Sequence, residues 1–193
     1  MNIPDRPPDP ALAETLVRRG SLEGGALEGV AVLTLCAPGG NRLSAPLIAA
    51  LSASLSQALA DPAVTALVLA AEGADFCAGA SDDQPPPSPD AAQVPSAVPA
   101  LAALCAQIDA AAKPVVAALH GTVASGGLAL ALACGARIGA PDTTLALPEG
   151  RLFQLPPGNA AIRLAWALGA GGALRLIGGA PLAAPEALAT RLL

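Results

Sequence analysis

Three short segments hold the residue types best suited to chemistry. Ser125-Gly126-Gly127 precedes an apolar run that reads as a helix, so its backbone N–H groups can face an anion at a helix start. Pro148-Glu149 follows a short strand-like stretch, and a carboxylate there could take up and return a proton. Phe76-Cys77-Ala78-Gly79-Ala80 is a loop of mostly small residues that lets backbone come close to a ligand. Alone, each segment reads simply as structure: a turn or cap, a solvated loop charge, a buried thiol. His120, the single histidine, stands at a strand end before glycine and reads as structural. No histidine adjoins Cys77 in sequence, so Cys77 reads as inert rather than nucleophilic.

Composition excludes several classes. Of 193 residues, 53% are hydrophobic and 13% charged, which is incompatible with a disordered chain. The net charge of −5, the lack of Lys or Arg runs and the scarcity of aromatics argue against nucleic-acid binding. With two Phe, one Trp and no Tyr, small aliphatic side chains must fill the core. Cys36, Cys77, Cys105 and Cys134 are widely and irregularly spaced, which points to free buried thiols in a reducing cytoplasm, with neither a zinc site nor a disulfide framework. No metal ligand set is expected. The N-terminal MNIPDRPPDPALAETLVRRG lacks the apolar stretch of a signal peptide. Residues 114–136 contain no Asp, Glu, Lys or Arg, but glycines and Pro114 interrupt them. They read as buried strand, glycine turn and buried helix rather than a membrane span.

These segments need elements to position them. The chain length suits one α/β domain. Residues 1–25 read as a flexible leader and 26–193 as the core domain. Val30–Cys36, Val64–Ala70 and Pro114–Leu119 are apolar, Val-rich strands expected to neighbour one another in a mainly parallel sheet. Ser44 caps a helix running to about Ala60, where Asp61-Pro62 ends it. Residues 81–99 hold six prolines and three aspartates, so a loop is expected there, a surface excursion or a flap beside a site. Leu101–Ala112 and Leu128–Cys134 read as helices, and Arg137–Ala140 and Thr143–Leu147 as short strands. From Asn159 onward the chain reads as helical, with breaks at Gly169–Gly172 and Gly178–Pro181.

Taken in order and spacing, four segments resemble the enoyl-CoA hydratase/isomerase (crotonase) family. They are FCAGAS at Phe76–Ser81, KPVVAALHGTVASGGLALALAC at Lys113–Cys134, LPEGRL at Leu147–Leu152 and PLAAPEALATRLL at Pro181–Leu193. The resemblance extends from about Val30 to Leu193 and implies the ClpP/crotonase spiral of β-β-α units. It implies an acyl-CoA thioester substrate, with coenzyme A present only as part of that substrate and no permanently bound cofactor. Two backbone N–H groups, those of Ala80 and Gly126, would form the oxyanion hole, each contributing about 3 kcal/mol. Glu149 would be the catalytic carboxylate, and Ala78, Ser81, Gly127, Ala129 and Phe153 would line the substrate site. A cytoplasmic homo-oligomer, trimer or hexamer, acting in fatty acid metabolism away from membrane and nucleic acid is implied as well.

The sequence also departs from the family pattern. Ser125 replaces the first glycine of the G-G-G triplet, and Ser81-Asp82 stands where an Asp directly follows A-G-A. The hydratases' first glutamate, three residues after the second oxyanion glycine, is Ala129, so one carboxylate of two remains. Phe153 and Pro156-Pro157-Gly158-Asn159 differ from a small residue and a P-G-containing turn. Family members usually continue some sixty residues further, into helices that pack on a neighbour, so the match resembles a short variant lacking that region. A lone base suits double-bond isomerisation better than hydration, with thioester hydrolysis third. The competing expectation is a non-catalytic paralogue that binds CoA or assembles with a partner.

Overall fold

The structure is a computed structural model that describes residues 16–22, 28–79, 97–149 and 156–193. Three apolar runs form the centre of the main sheet: β2 (Val30–Leu35), β3 (Ala66–Ala71) and β4 (Val115–Leu119). They lie side by side and parallel, as their shared Val/Leu content and the connections between them require. β6 (Ala136–Gly139) extends the sheet in parallel beyond β4, and β1 (Val17–Leu22) closes the other edge, antiparallel to β2. The leader expected over residues 1–25 is therefore partly sheet. Its VRRGSL stretch hides the strand because Arg18, Arg19 and Gly20 suit an exposed edge rather than a buried run. Arg19 reaches across to Asp61 at 2.7 Å, and Arg18 pairs with Glu72.

Burial alternates along β2, with Ala31, Leu33 and Leu35 buried and their neighbours partly open. Two helices cover that face. In α1 (Ala45–Ala60), the Ser44 hydroxyl accepts from the Leu47 N–H, and Leu47, Leu51 and Leu55 point inward. Lys113 ties off its far end, donating to the carbonyls of Ala58 and Asp61 at 3.2 and 2.6 Å. α2 (Ala97–Asp109) adds Leu101, Leu104, Cys105 and Ile108. It starts earlier than the sequence suggests, because Pro99 falls in the first turn, where its missing N–H costs nothing. Gln107 clamps the two helices by bonding Ser52 and Ser56.

A second, smaller sheet carries the segments of interest. β5 (Thr122–Ala124) pairs in parallel with β7 (Thr144–Ala146), and β7 pairs antiparallel with β8 (Leu182–Ala183). Between β5 and β6 runs α3 (Gly126–Ala133), every residue of which is buried. The charge-free stretch 114–136 is thus strand, strand and central helix.

α4 (Ala160–Ile177) and α5 (Ala184–Ala189) complete the chain. By length and apolar composition α4 could cross a membrane, but Gly169, at φ 70° and ψ 172°, splits it into two shorter segments.

Candidate functional site

The site forms where the Phe76–Gly79 loop runs beside β5. Phe76 and Cys77 donate to the carbonyls of His120 and Thr122 at 3.0 Å, and Ala124 returns a bond to the Cys77 carbonyl at 2.9 Å. The far side of the loop is held equally firmly. Ala78 donates to Gly40 at 2.8 Å, and the Gly79 carbonyl accepts from Leu43 at 2.9 Å. Gly40, at φ 79°, belongs to a Pro38–Asn41 turn between β2 and α1. Asn41 anchors that turn. It is 1% exposed, its Nδ2 donates to the carbonyls of Glu72 and Asp75, and its Oδ1 accepts from Ala37. Asp75 in turn accepts from the Thr122 N–H at 2.9 Å, and the Thr122 hydrogen bonds hold its carboxyl below the usual carboxylate range. Asn41 and Asp75 were not legible as site supports. A Gly-Gly-Asn turn signals only a turn, and the long-range pairing has no local mark.

Against this loop lies the start of α3. The Gly127 backbone is so close that an added Cβ would fall 2.4 Å from Cys77 Cβ. A Cβ on Gly126 would meet Leu43 and Leu101 at 2.7 and 2.8 Å. At 127 only glycine permits the approach, whereas at 126 the ends of two leucine side chains would have to shift. The Gly126 N–H occupies the first helical position, where no intrahelical acceptor exists. Ser125 makes the corner between β5 and α3, donating its N–H to Ala146 at 3.1 Å and accepting from Ala129 through its carbonyl.

The same pairing fixes the carboxylate. Because Ala124 sits opposite Ala146, the chain beyond β7 emerges beside the Ser125 corner and reaches Glu149 three residues later. Glu149 is half-buried, and its Oε2 is enclosed without a hydrogen-bond partner among the described residues. Buried polar atoms are as a rule paired, so this oxygen has an unused acceptor position that a bound group could fill.

The other expected site residues do not all lie together. Gly126, Gly127 and Ala129 lie together at the start of α3, Ala78 lies in the adjoining loop against the Gly40 turn, and Ala80, Ser81 and Phe153 lie outside the described residues. Ala129 is fully buried. A Cβ on Gly158, in the turn before α4, would stand 2.8 Å from the Ala129 methyl, so that turn packs where a longer side chain at 129 would extend. Burial pushes the Cys77 thiol up to about 11, and Cys105 and Cys134 up to about 11 and 12, which leaves all three protonated near neutral pH. His120 places Nε2 3.1 Å from the Gly73 carbonyl and serves the loop rather than the α3 corner. Among the described residues no cluster of His, Cys, Asp and Glu could hold a metal ion.

Known proteins share this arrangement of chain. A family profile described as enoyl-CoA hydratase/isomerase matches residues 25–190. A peroxisomal bifunctional enzyme of Danio rerio is 41% identical over 160 residues, covering 82% of this chain and 21% of its own length. A probable enoyl-CoA hydratase of Bacillus subtilis is 37% identical over 160 residues, covering 82% of this chain and 62% of its own. The chain thus spans less than two thirds of either relative. Among solved structures, an enoyl-CoA hydratase from Bacillus anthracis superposes with a TM-score of 0.83 at 29% identity, over 92% of this chain and 68% of that one. An enoyl-CoA hydratase/isomerase family protein from Silicibacter pomeroyi gives 0.81 at 28%, over 92% and 73%. The fold is accordingly the crotonase-like spiral, and the chain belongs to the enoyl-CoA hydratase/isomerase family.

Proposed function

We propose that this chain processes an acyl-CoA thioester, with Glu149 as its only catalytic carboxylate and double-bond isomerisation as its main reaction. The thioester oxygen would accept from the N–H groups of Ala80 and Gly126. Glu149 would then remove a proton at C2 or C4 of the enoyl group and return it to the other carbon. As charge moves onto the thioester oxygen, fixed N–H donors stabilise it without reorganising. The open groove formed by Cys36–Gly40 and Glu72–Asp75, at the carboxyl ends of β2 and β3, is a fitting place for the nucleotide end of CoA. The observation that carries this reading is the enclosed, unpartnered Oε2 of Glu149. The packing of Gly158 against Ala129 favours isomerisation over hydration, because it fills space in which a second carboxylate would hold water.

Glu149→Gln tests the role. Turnover of a 3-enoyl-CoA should fall about 10²–10⁴-fold with substrate affinity little changed, because general base catalysis contributes in that range. Unchanged turnover would refute it. The second reading, a non-catalytic paralogue, is favoured by the same packed Ala129, and predicts binding of crotonyl-CoA with no turnover by the unmodified protein. Ile162 and Trp166, one turn apart on α4, are 51% and 81% exposed and suit assembly into a trimer or hexamer, which light scattering would detect. The names of relatives in Arabidopsis thaliana and Oryza sativa place those proteins in fatty acid β-oxidation. We extend that setting, in a cytoplasmic form, to this chain.

A further inference from the structure

The Ser125 corner has a feature that isomerisation does not use. Four described non-glycine residues have positive φ: Asn41, Ser125, Asn159 and Arg191. Asn159 lies in the ordinary left-handed region, at φ 59° and ψ 22°. Ser125, at φ 53° and ψ −123°, lies outside it, in a region that favours glycine. A side chain is nevertheless present. It is 4% exposed. Its Cβ would stand 3.6 Å from a Cβ placed on Gly79, so it faces the end of the Phe76–Gly79 loop.

A serine strained at a sharp strand-to-helix turn, with the next residue's N–H free at the helix start, has the geometry of a nucleophile elbow. There the hydroxyl attacks a carbonyl whose oxygen rests on that N–H. β5, Ser125 and α3 supply these parts in order, and the N–H is that of Gly126. Glu149 supplies a proton acceptor. It lies beyond β7, to which the Ser125 N–H is bonded, and its Oε2 is enclosed without a partner.

We propose that Ser125 is an acyl-accepting nucleophile and that the chain hydrolyses acyl-CoA thioesters through an acyl-serine. This rests on the acyl-CoA reading above, not on isomerisation. The Ser125 oxygen forms a bond to the thioester carbon, and the oxyanion is held by Gly126. The serine proton passes to Glu149. Collapse breaks the C–S bond, and the CoA sulfur leaves with the proton from Glu149. Water then attacks the serine ester, with Glu149 taking one of its protons and returning it to the Ser125 oxygen, which releases the carboxylic acid. Cys77 cannot substitute, since its thiol is buried and stays protonated.

The test uses butyryl-CoA, whose saturated chain can be neither hydrated nor isomerised. CoA release is followed by chromatography, and acid-quenched protein is mapped by mass spectrometry. The unmodified protein should release CoA and carry a butyryl group on the Ser125 peptide. Ser125→Gly, which relaxes the corner, should lose the adduct and slow release about 10³-fold while circular dichroism reports an unchanged fold. Release that Ser125→Gly leaves undiminished would overturn the proposal. So would bound butyryl-CoA that releases no CoA. If that last protein still isomerises a 3-enoyl-CoA, only the serine proposal falls. If neither butyryl-CoA nor an enoyl-CoA binds, the acyl-CoA reading falls with it.

Discussion

The two halves of the site are built on different principles. The backbone half, Phe76–Gly79 against Ser125–Gly127, is fixed by hydrogen bonds to β5, Gly40 and Leu43 and by glycines that admit close contact. Its framework is backbone, so a substitution such as Ser125 for glycine leaves that framework in place even where the new side chain adds chemistry of its own. The carboxylate half depends on what particular side chains are. Position 149 holds a carboxylate, but position 129 holds a methyl group packed on the Gly158 turn. A backbone device tolerates sequence change and fails only when the chain cannot approach, whereas a side-chain device fails at one substitution.

Either half can be challenged by a single substitution. Ala129→Glu places a carboxylate in a fully buried position against the Gly158 turn, Leu101 and Cys105. We expect a loss of about 3 kcal/mol in urea unfolding, from an uncompensated buried charge. If stability is retained and crotonyl-CoA hydration appears, the pocket has room for the second glutamate and the packed methyl is not what excludes hydration. Gly127→Ala forces a Cβ to within 2.4 Å of Cys77 Cβ, with no flexible side-chain end to give way. It should cost about 2 kcal/mol and lower turnover by separating the loop from α3. A thermal midpoint equal to the parent's would show that the backbone half is looser than the geometry implies. Ser125→Gly should act in the opposite sense, raising stability by about 1 kcal/mol as the strained φ and ψ become ordinary. A fall in midpoint would mean that the serine hydroxyl holds the corner.

The smallest effect concerns Asp75. Hydrogen bonds from Thr122 lower its folded pKa, so its contribution is complete above the ordinary carboxylate range and is lost as pH falls through the depressed folded value. Asp75→Ala should cost about 1 kcal/mol at neutral pH. The gap between parent and variant should close under strongly acidic conditions, and a gap independent of pH would remove the carboxylate from the account.

Legibility followed the same division. β2, β3 and β4 were readable because strands buried in a parallel sheet are unbroken apolar runs. The α3 helix and its glycine entry were readable because a charge-free stretch interrupted by Ser125-Gly126-Gly127 fits little besides a buried strand, a tight turn and a buried helix. β1 escaped because an edge strand with two arginines and a glycine, in which Val17 is buried but residues 18–21 are exposed, shows no alternation to mark it. β8 escaped because two residues carry no periodicity. Asn41 and Asp75 work through partners more than thirty residues away, which spacing alone does not reveal. The positive-φ strain at Ser125 is invisible in sequence, since serine at a helix start reads as an ordinary cap.

The pairing of β7 with β8 has a consequence for the timing of folding. β5 and β7 lie close together in sequence, but β8 follows only after α4, and Leu192 then clips onto β6 when its carbonyl accepts from Arg137 Nε at 2.6 Å. On the ribosome, the β7 edge and the flank of β6 therefore stay uncovered until residues 182–192 have emerged. Contacts of such long sequence separation form late, because closing the intervening chain precedes any gain from them. A nascent chain halted within α4 would hold the Ser125 corner and Glu149 already made but would leave two strand edges open to a neighbouring copy.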